Sequence, residues 1–364
     1  MTLQRSFTKP NPLGPLQDGK RGPRAAHATA PATATEPLLA VRDLAVTLAD
    51  GRRTLPAVRG VSFELAPGEA LALVGESGAG KSLTALALLG LAPASARVTG
   101  SARLGGDELV GAPRALYRRL WGRRIALVPQ DALAVLSPVH TVGDQLAFAV
   151  RSVRRAGRRE AERLAAAALE QVGIPAARAR AYPHEFSGGM RQRAAIAMAM
   201  VNRPELVVAD EPTTALDPRA QAQVLGTLAE LRESTGAALL LVTHDLGIVA
   251  AHADRVAVLY AGRLAESGPA GQVLADPRSP YTAGLLAALP PDRATDRRLH
   301  SIGGAPPAPD RLPPGCAFAP RCPLATDRCR TEEPRAGRPA PGRTLACHHR
   351  HRLPADLFTA PAAA

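Results

Sequence analysis

Gly75-Glu76-Ser77-Gly78-Ala79-Gly80-Lys81-Ser82 is the stretch on which the reading of this chain turns. It has the spacing G-x-x-x-x-G-K-S/T of a phosphate-cradling loop. Its flanks are the ones such a loop needs. Ala70-Leu71-Ala72-Leu73-Val74 before it predicts a short buried strand, and the Leu/Ala-rich run Leu83 to Leu91 after it predicts a helix. The glycines let successive N–H groups turn inward towards phosphate oxygens. The helix that follows adds the positive end of its dipole. In this pattern Lys81 reaches the β- and γ-phosphates and the Ser82 hydroxyl takes one Mg²⁺ position. An ordinary glycine turn before a helix accounts for less of this order, so a bound nucleoside triphosphate is the expectation.

Working outward, strands and helices alternate. Leu39 to Leu48 and Val61 to Leu65 predict strands, as does Arg124 to Val128. Leu206-Val207-Val208-Ala209 and Leu239-Leu240-Leu241-Val242 are apolar throughout, as strands buried on both faces are. Helices are predicted over Val142–Val153, Arg159–Val172, Arg191–Val201 and Pro218–Glu233, and a hairpin around Ala261-Gly262. The fold class is therefore α/β with a mixed, largely parallel sheet. No internal repeat is visible, so the chain holds one nucleotide cassette.

Residues 1–36 are rich in Pro, Ala and Thr without apolar periodicity and predict a disordered tail. Beyond about Pro290 the chain is rich in Pro, Arg and Gly, with too few apolar residues for a large core of its own. No run approaches the roughly 20 apolar residues of a membrane-spanning helix, and the N-terminus lacks a signal-peptide core. A soluble, cytosolic protein is the expectation. The net charge of +13 suggests an anionic partner, but the arginines are scattered. The densest run, Arg151 to Arg163, reads as a solvated helix face, and without interleaved aromatics it argues against a nucleic-acid platform.

Other residues sit where ligands of open α/β sheets lie, at the carboxyl ends of strands. Asp210 is placed to hold Mg²⁺, directly or through water, and Glu211 to polarise an attacking water. Gln130 can ligate Mg²⁺ or orient water, although on pattern alone it fits equally a polar residue opening a loop. His244 can contact a γ-phosphate and is singly a weak signal. Ser187 is a good N-cap, and Gly188 and Gly189 let an anion approach the helix they open. One triphosphate has no obvious need of two such helix starts. The four cysteines, Cys316, Cys322, Cys329 and Cys347, all lie in the C-terminal segment, a clustering that favours metal or cluster ligation over disulfides. Their spacing, C-x5-C-x6-C-x17-C, is not a ferredoxin run, and four thiolates satisfy tetrahedral zinc equally. His348, His349 and His351 read as solvated tail, with one of them able to substitute as a ligand.

Together these motifs resemble the ATP-binding subunit of ABC transporters over about residues 38–290. Gly75–Ser82 matches the Walker A loop, Gln130 the Q-loop, Leu206–Glu211 Walker B, Ala215-Leu216-Asp217 the D-loop and His244 the switch histidine. Phe186-Ser187-Gly188-Gly189-Met190 departs from the commoner LSGGQ signature. With Tyr182-Pro183-His184-Glu185 before it and Arg191-Gln192-Arg193 after, it is similar to the oligopeptide/dipeptide and nickel importer branch. Gly315-Cys316-Ala317-Phe318-Ala319-Pro320-Arg321-Cys322-Pro323 resembles that branch's C-terminal extension.

The resemblance implies a P-loop NTPase cassette over 37–290, with a helical signature subdomain at about 133–203 and an extension over 291–364. It implies ATP with Mg²⁺, and a 4Fe–4S cluster on the four cysteines rather than zinc. It implies a head-to-tail dimer with an identical or paralogous cassette, in which Ser187-Gly188-Gly189 completes the partner's site. Two membrane permeases, an extracytoplasmic substrate-binding protein and a peripheral place on the cytoplasmic face of the cell membrane follow from it. Leu48 stands where such cassettes stack an aromatic on adenine, and offers apolar contact without the ring face. The competing expectations are an importer ATPase for nickel or another small solute, and a soluble ABC-type ATPase acting on nucleic acid or ribosomes.

Overall fold

The computed structural model describes residues 36–51, 53–214, 216–289, 301–350, 353–354 and 357–358. Apart from Glu36, the tail expected over residues 1–36 lies outside the described residues, as do Ala215 of the D-loop motif and His351.

The chain begins with β1 (Leu39–Asp50) and β2 (Arg53–Leu65), then β3 (Ala70–Val74), α1 (Lys81–Leu88), β4 (Ala96–Leu104), β5 (Asp107–Glu108) and α2 (Arg114–Leu120). β6 (Ile125–Val128) leads into three helices, α3 (Val142–Val153), α4 (Arg158–Gln171) and α5 (Gly188–Met200). Alternation resumes with β7 (Leu206–Asp210), α6 (Pro218–Thr235), β8 (Ala238–Val242), α7 (Leu246–His252), β9 (Arg255–Tyr260) and β10 (Arg263–Pro269). The last third carries α8 (Ala270–Ala275), α9 (Pro280–Ala287), α10 (Asp327–Thr331), β11 (Gly337–Ala340) and β12 (Arg343–Leu345).

Two sheets result. The larger has the order β11-β12-β10-β9-β3-β8-β7-β6. Strands β9, β3, β8, β7 and β6 pair parallel, and the three beyond β9 pair antiparallel, giving the expected mixed sheet. Every residue of β3 and β8 is buried, because parallel neighbours on both sides and covered faces leave no wet position. The second sheet, β2-β1-β4-β5, is antiparallel and half wet, so β1 buries only Leu39, Val41, Leu44 and Val46. Its packing face shares a core with the near face of the large sheet through Leu71, Leu73 and Leu240. Helices α3–α5 form a separate layer around Leu146, Val150, Leu169 and Ile196.

The sequence signal missed part of this. Only the last turn-proximal half of β2 is legible, and β4, β5 and α2 are not. β4 reads Ala-Arg-Val-Thr-Gly-Ser-Ala-Arg-Leu and buries only Ala102 and Leu104. It is a strand because β1 offers it a ladder from Leu39 to Leu48, not because its own residues alternate.

The C-terminal segment solves its shortage of apolar residues by joining the cassette. β12 adds to the large sheet alongside β10, pairing Leu345 with Glu266. Glu266 and Arg343 form an ion pair whose side chains are 1% and 6% exposed, and Glu266 also accepts the backbone N–H groups of Arg278 and Ser279. Breaking one side of such a pair costs about 3–5 kcal/mol, so this seam is firmly held. Tyr260 of β9, Tyr281 of α9 and Phe318 of the extension meet as an aromatic trio with centroids 4.5 to 5.3 Å apart.

Candidate nucleotide site

The topology collects the motif residues at one edge of the sheet. The phosphate loop leaves β3, Asp210 and Glu211 end β7, His244 follows β8 and Gln130 follows β6. These are neighbouring parallel strands, so their carboxyl ends lie side by side.

The loop is built from what its glycines permit. Gly75 has φ 151°, and a Cβ there would stand 2.2 Å from the Leu259 carbonyl oxygen of β9. Gly80 has φ 93° and caps α1 with no side-chain bond, its own missing Cβ giving room to the Ala57 carbonyl. Lys81 is buried, and its Nζ donates to the carbonyls of Gly75 at 2.8 Å and Glu76 at 3.1 Å. Burial pulls the ammonium pKa down, against the carboxylates of Glu211 and Asp210, which raise it.

Ser82 Oγ donates to Asp210 Oδ1 at 2.8 Å. One hydroxyl and one carboxylate oxygen thus already converge at the place where a hard cation takes oxygen ligands. Burial raises the Asp210 pKa and the Ser82 bond lowers it; Glu211 raises it and Lys81 lowers it.

Glu211 turns out of β7 with φ 45°, in the left-handed region. A non-glycine residue there carries about 1–2 kcal/mol of strain. The turn is held by the Glu211 N–H on the Val242 carbonyl at 2.9 Å, and Thr214 Oγ1 donates to Glu211 Oε2 at 2.9 Å. His244 Nδ1 lies 3.5 Å from Glu211 Oε1, with an exposed side chain. The two residues that read as a weak signal and a strong one in the sequence are thus neighbours.

Gln130 is exposed beyond β6, while the carbonyl of Pro129 beside it accepts from Gln192 Nε2 of α5 at 2.9 Å. That bond ties the Q-loop segment to the signature helix. Ser187 caps α5 by accepting the Met190 N–H at 3.3 Å, and Ser187 and Gly188 are exposed. Among the described residues no hydrogen bond joins this helix start to Gly75–Ser82. Leu48 is half-buried in β1, opposite Leu55 and Ala96.

Cys316, Cys322, Cys329 and Cys347 all line one cavity of about 60 Å³, walled by Tyr260, Tyr281 and Phe318 and rimmed by His348 and His349. His349 Nε2 lies 3.7 Å from Cys329 Sγ, so it is part of the cavity and not open tail. The closed metal site expected of these thiols is not formed: among the described residues no group of three or more His, Cys, Asp or Glu is arranged to hold an ion. Burial pushes the thiol of Cys322 up to about 12 and that of Cys347 up to about 11, and raises Cys316 as well.

Sequence reasoning missed Arg321, Tyr281 and Thr214. Arg321 meets Glu76 of the phosphate loop with two hydrogen bonds, and Tyr281 Oη accepts the Glu76 N–H at 2.8 Å. Arg321 was visible only as the residue before Cys322, with nothing in the pattern to say that it faces a loop 245 positions away.

The fold and the site define a P-loop nucleotide-binding cassette. Residues 58–214 match the ABC transporter family, and residues 265–329 match the oligopeptide/dipeptide transporter C-terminal region. The oligopeptide transport ATP-binding protein OppD of Salmonella typhimurium is 44% identical over 312 residues, covering 85% of this chain and 93% of the relative. AppD of Bacillus subtilis, also an oligopeptide transport ATP-binding protein, is 40% identical over 314 residues, covering 85% and 96%. OppD of Mycobacterium tuberculosis is 51% identical over 302 residues, covering 82% of this chain but 49% of the relative, so the chain spans about half that protein's length. Among solved structures, the dimeric ATP-binding cassette MJ0796, in a post-hydrolysis state bound to ADP and Pi, superposes with a TM-score of 0.58 at 25% identity, covering 64% of this chain and 98% of that one. The chain belongs to the ATP-binding subunits of ABC transporters, in the branch that carries the oligopeptide/dipeptide transporter C-terminal region.

Proposed function

We propose that this chain is the ATP-hydrolysing subunit of a peptide importer. The observation that carries the proposal is the convergence of Lys81, the Ser82–Asp210 pair and the Thr214-held Glu211 on adjacent strand ends. Lys81 and the loop amides bind the phosphates; Ser82 and Asp210 hold Mg²⁺, with Gln130 as a further ligand. Glu211 polarises the attacking water and His244 steadies the γ-phosphate side. Leu48 covers adenine by apolar contact. The cassette spans 37–290 with its helical subdomain at about 133–203, and 291–364 form the extension.

The Ser187-Gly188-Gly189 start, exposed at Ser187 and Gly188, acts on the ATP of a second cassette, identical or paralogous, in a head-to-tail dimer. The dimeric cassettes among its structural neighbours support this arrangement. ATP closes the dimer because only the closed form contacts the triphosphate from both sides. Leu133, Val139 and Phe148 support a permease contact: these large apolar side chains are 51%, 73% and 72% exposed around the Q-loop and α3. Two permeases and an extracytoplasmic binding protein complete the importer, with this subunit peripheral on the cytoplasmic face. Among the described residues no helix is long and apolar enough to cross a membrane. Disrupting the chain in its host is expected to abolish uptake of labelled oligopeptides. Undiminished peptide uptake with lost nickel uptake overturns the cargo assignment, and undiminished uptake of both overturns the transport reading.

The four cysteines we infer to be ligands of a 4Fe–4S cluster. Their shared, aromatic-walled cavity supports the inference. A bound cluster would take the four cysteines as thiolates. Protein purified anaerobically is expected to contain iron and sulfide, and Cys322→Ser to lose them. Stoichiometric zinc without iron overturns the cluster.

A further inference from the structure

The four-cysteine segment touches the phosphate loop through one side chain. Arg321 ends a single 3-10 turn, Ala319–Arg321, and directly precedes Cys322. Its side chain is 4% exposed, and its guanidinium meets both carboxylate oxygens of Glu76, at 2.6 and 2.9 Å. This is the two-bond fork geometry that makes Arg–carboxylate pairs directional as well as strong. The remaining donors are used too: Arg321 donates to the Gly303 carbonyl at 2.9 Å, the Ile302 carbonyl at 3.3 Å and the Tyr260 hydroxyl at 3.2 Å. The cation lies 5.8 Å from the Tyr260 ring centroid and 5.9 Å from that of Phe318.

Glu76 is the second residue of the phosphate loop, and both of its ends are claimed by the last third of the chain. Arg321 holds its carboxylate and Tyr281 its N–H. Its carbonyl meanwhile accepts from Lys81 Nζ. A shift of Glu76 therefore moves the residue that reaches the phosphates. On the other side, the turn carrying Arg321 is bonded to the cysteine backbone. Ala319 N–H donates to the Cys316 carbonyl at 2.9 Å, Cys322 N–H to the Ala319 carbonyl at 3.3 Å, and Cys316 N–H to the Cys329 carbonyl at 2.8 Å. No flexible linker intervenes between the cysteines and the loop.

We propose that Arg321 is a positioning residue for the phosphate loop, and that through Glu76 it couples the conformation of the four-cysteine segment to nucleotide affinity. This rests on the ATP-binding reading above. A bridge that merely packs the extension against the cassette would lower the melting temperature and leave nucleotide affinity alone, which sets the test.

Full-length protein is titrated with a fluorescent ATP analogue, and its ATPase KM and kcat are measured with the melting temperature. In R321Q the Kd and KM are expected to rise about tenfold, an ordinary strength for coupling between two sites, with kcat little changed. R321K keeps the charge but not the fork and falls between the two. E76Q, which leaves the extension intact, matches R321Q and carries the test if R321Q does not fold. The double variant E76Q/R321Q is no weaker than either single. C322S weakens binding in the wild-type background and not in the E76Q background. Unchanged Kd and KM in R321Q or E76Q, whatever their melting temperatures, overturn the proposal, as do additive losses in the double variant or an unaltered C322S. Wild-type protein that binds no nucleotide overturns the functional reading itself, and the proposal with it.

Discussion

Glu211→Gln is expected to bind ATP with near wild-type affinity, to form a stable dimer in its presence, and to hydrolyse it about 10²–10⁴ times more slowly, the span typical of losing a general base. The substitution is chemically narrow. Thr214 Oγ1 donates to Glu211 Oε2, and an amide oxygen in its place still accepts that bond. The strained backbone at φ 45° is set by the Val242 carbonyl and the sheet, not by the carboxylate, so the side chain stays where it is. Binding is expected to survive because the proposed phosphate contacts belong to Lys81 and the loop amides. What disappears is one negative charge, and with it both the ability to accept a proton from water and the Glu211 share of the field that raises the Lys81 pKa, Asp210 keeping its own. Steady-state phosphate release and size-exclusion chromatography with ATP and Mg²⁺ measure the two halves of the expectation. Hydrolysis within a few-fold of wild type would remove Glu211 from the catalytic role; loss of ATP-dependent dimers would leave the chemistry standing and break the dimer reading.

How much of this was legible in the sequence follows from where the information sits. The phosphate loop, β3, β7 and β8 are short, continuous apolar runs and a fixed glycine spacing, so local residues determine them and they were read with nearly the right bounds. α3, α4 and α6 carry their apolar stripe and their N-terminal residues in sequence order, and were equally legible. β4 was not, because its partner β1 makes it a strand. The extension was read as a separate segment with too few apolar residues for a large core of its own. In fact Phe318 and Leu345 are buried against the cassette, and β12 lengthens its sheet. Nothing in a run of Pro, Arg and Gly reports a docking site contributed by Tyr260 and Tyr281.

The site divides along the same line. Lys81, Ser82, Asp210 and Glu211 were found because each stands at a fixed offset from a buried strand. Arg321 was missed because its meaning depends on Glu76, which is close only in space. Glu76 itself was read in the sequence only as one residue of the nucleotide-binding loop, yet its backbone and its side chain are both bonded to the C-terminal third. Long-range ion pairs leave no period and no spacing; only the folded chain shows them.

Gly75→Ala is expected to destroy nucleotide binding, whereas Gly78→Ala, three residues on in the same loop, is expected only to weaken it. Both glycines have positive φ, 151° and 80°. A composition argument treats them alike. The surroundings do not. A Cβ at Gly78 meets no atom of the chain within 4 Å, so within the protein it adds only the backbone strain of about 1–2 kcal/mol that an L-residue pays in that region. A Cβ at Gly75 stands 2.2 Å from the carbonyl oxygen of Leu259. That oxygen cannot retreat. Leu259 lies in β9, fully buried and paired with Leu264 of β10, while the neighbouring Val258 pairs with Val74 of β3. The loop must therefore move instead, and the Gly75 carbonyl, an acceptor for Lys81 Nζ at 2.8 Å, moves with it. A displacement of about 1 Å in a phosphate cradle costs roughly 100-fold in function. Titration of both variants with a fluorescent ATP analogue, alongside their melting curves, separates the two effects. Affinity of Gly75→Ala within a few-fold of wild type would mean that the loop accommodates a methyl group against β9. The close approach of β9 to Gly75 would then have no part in holding the phosphate cradle.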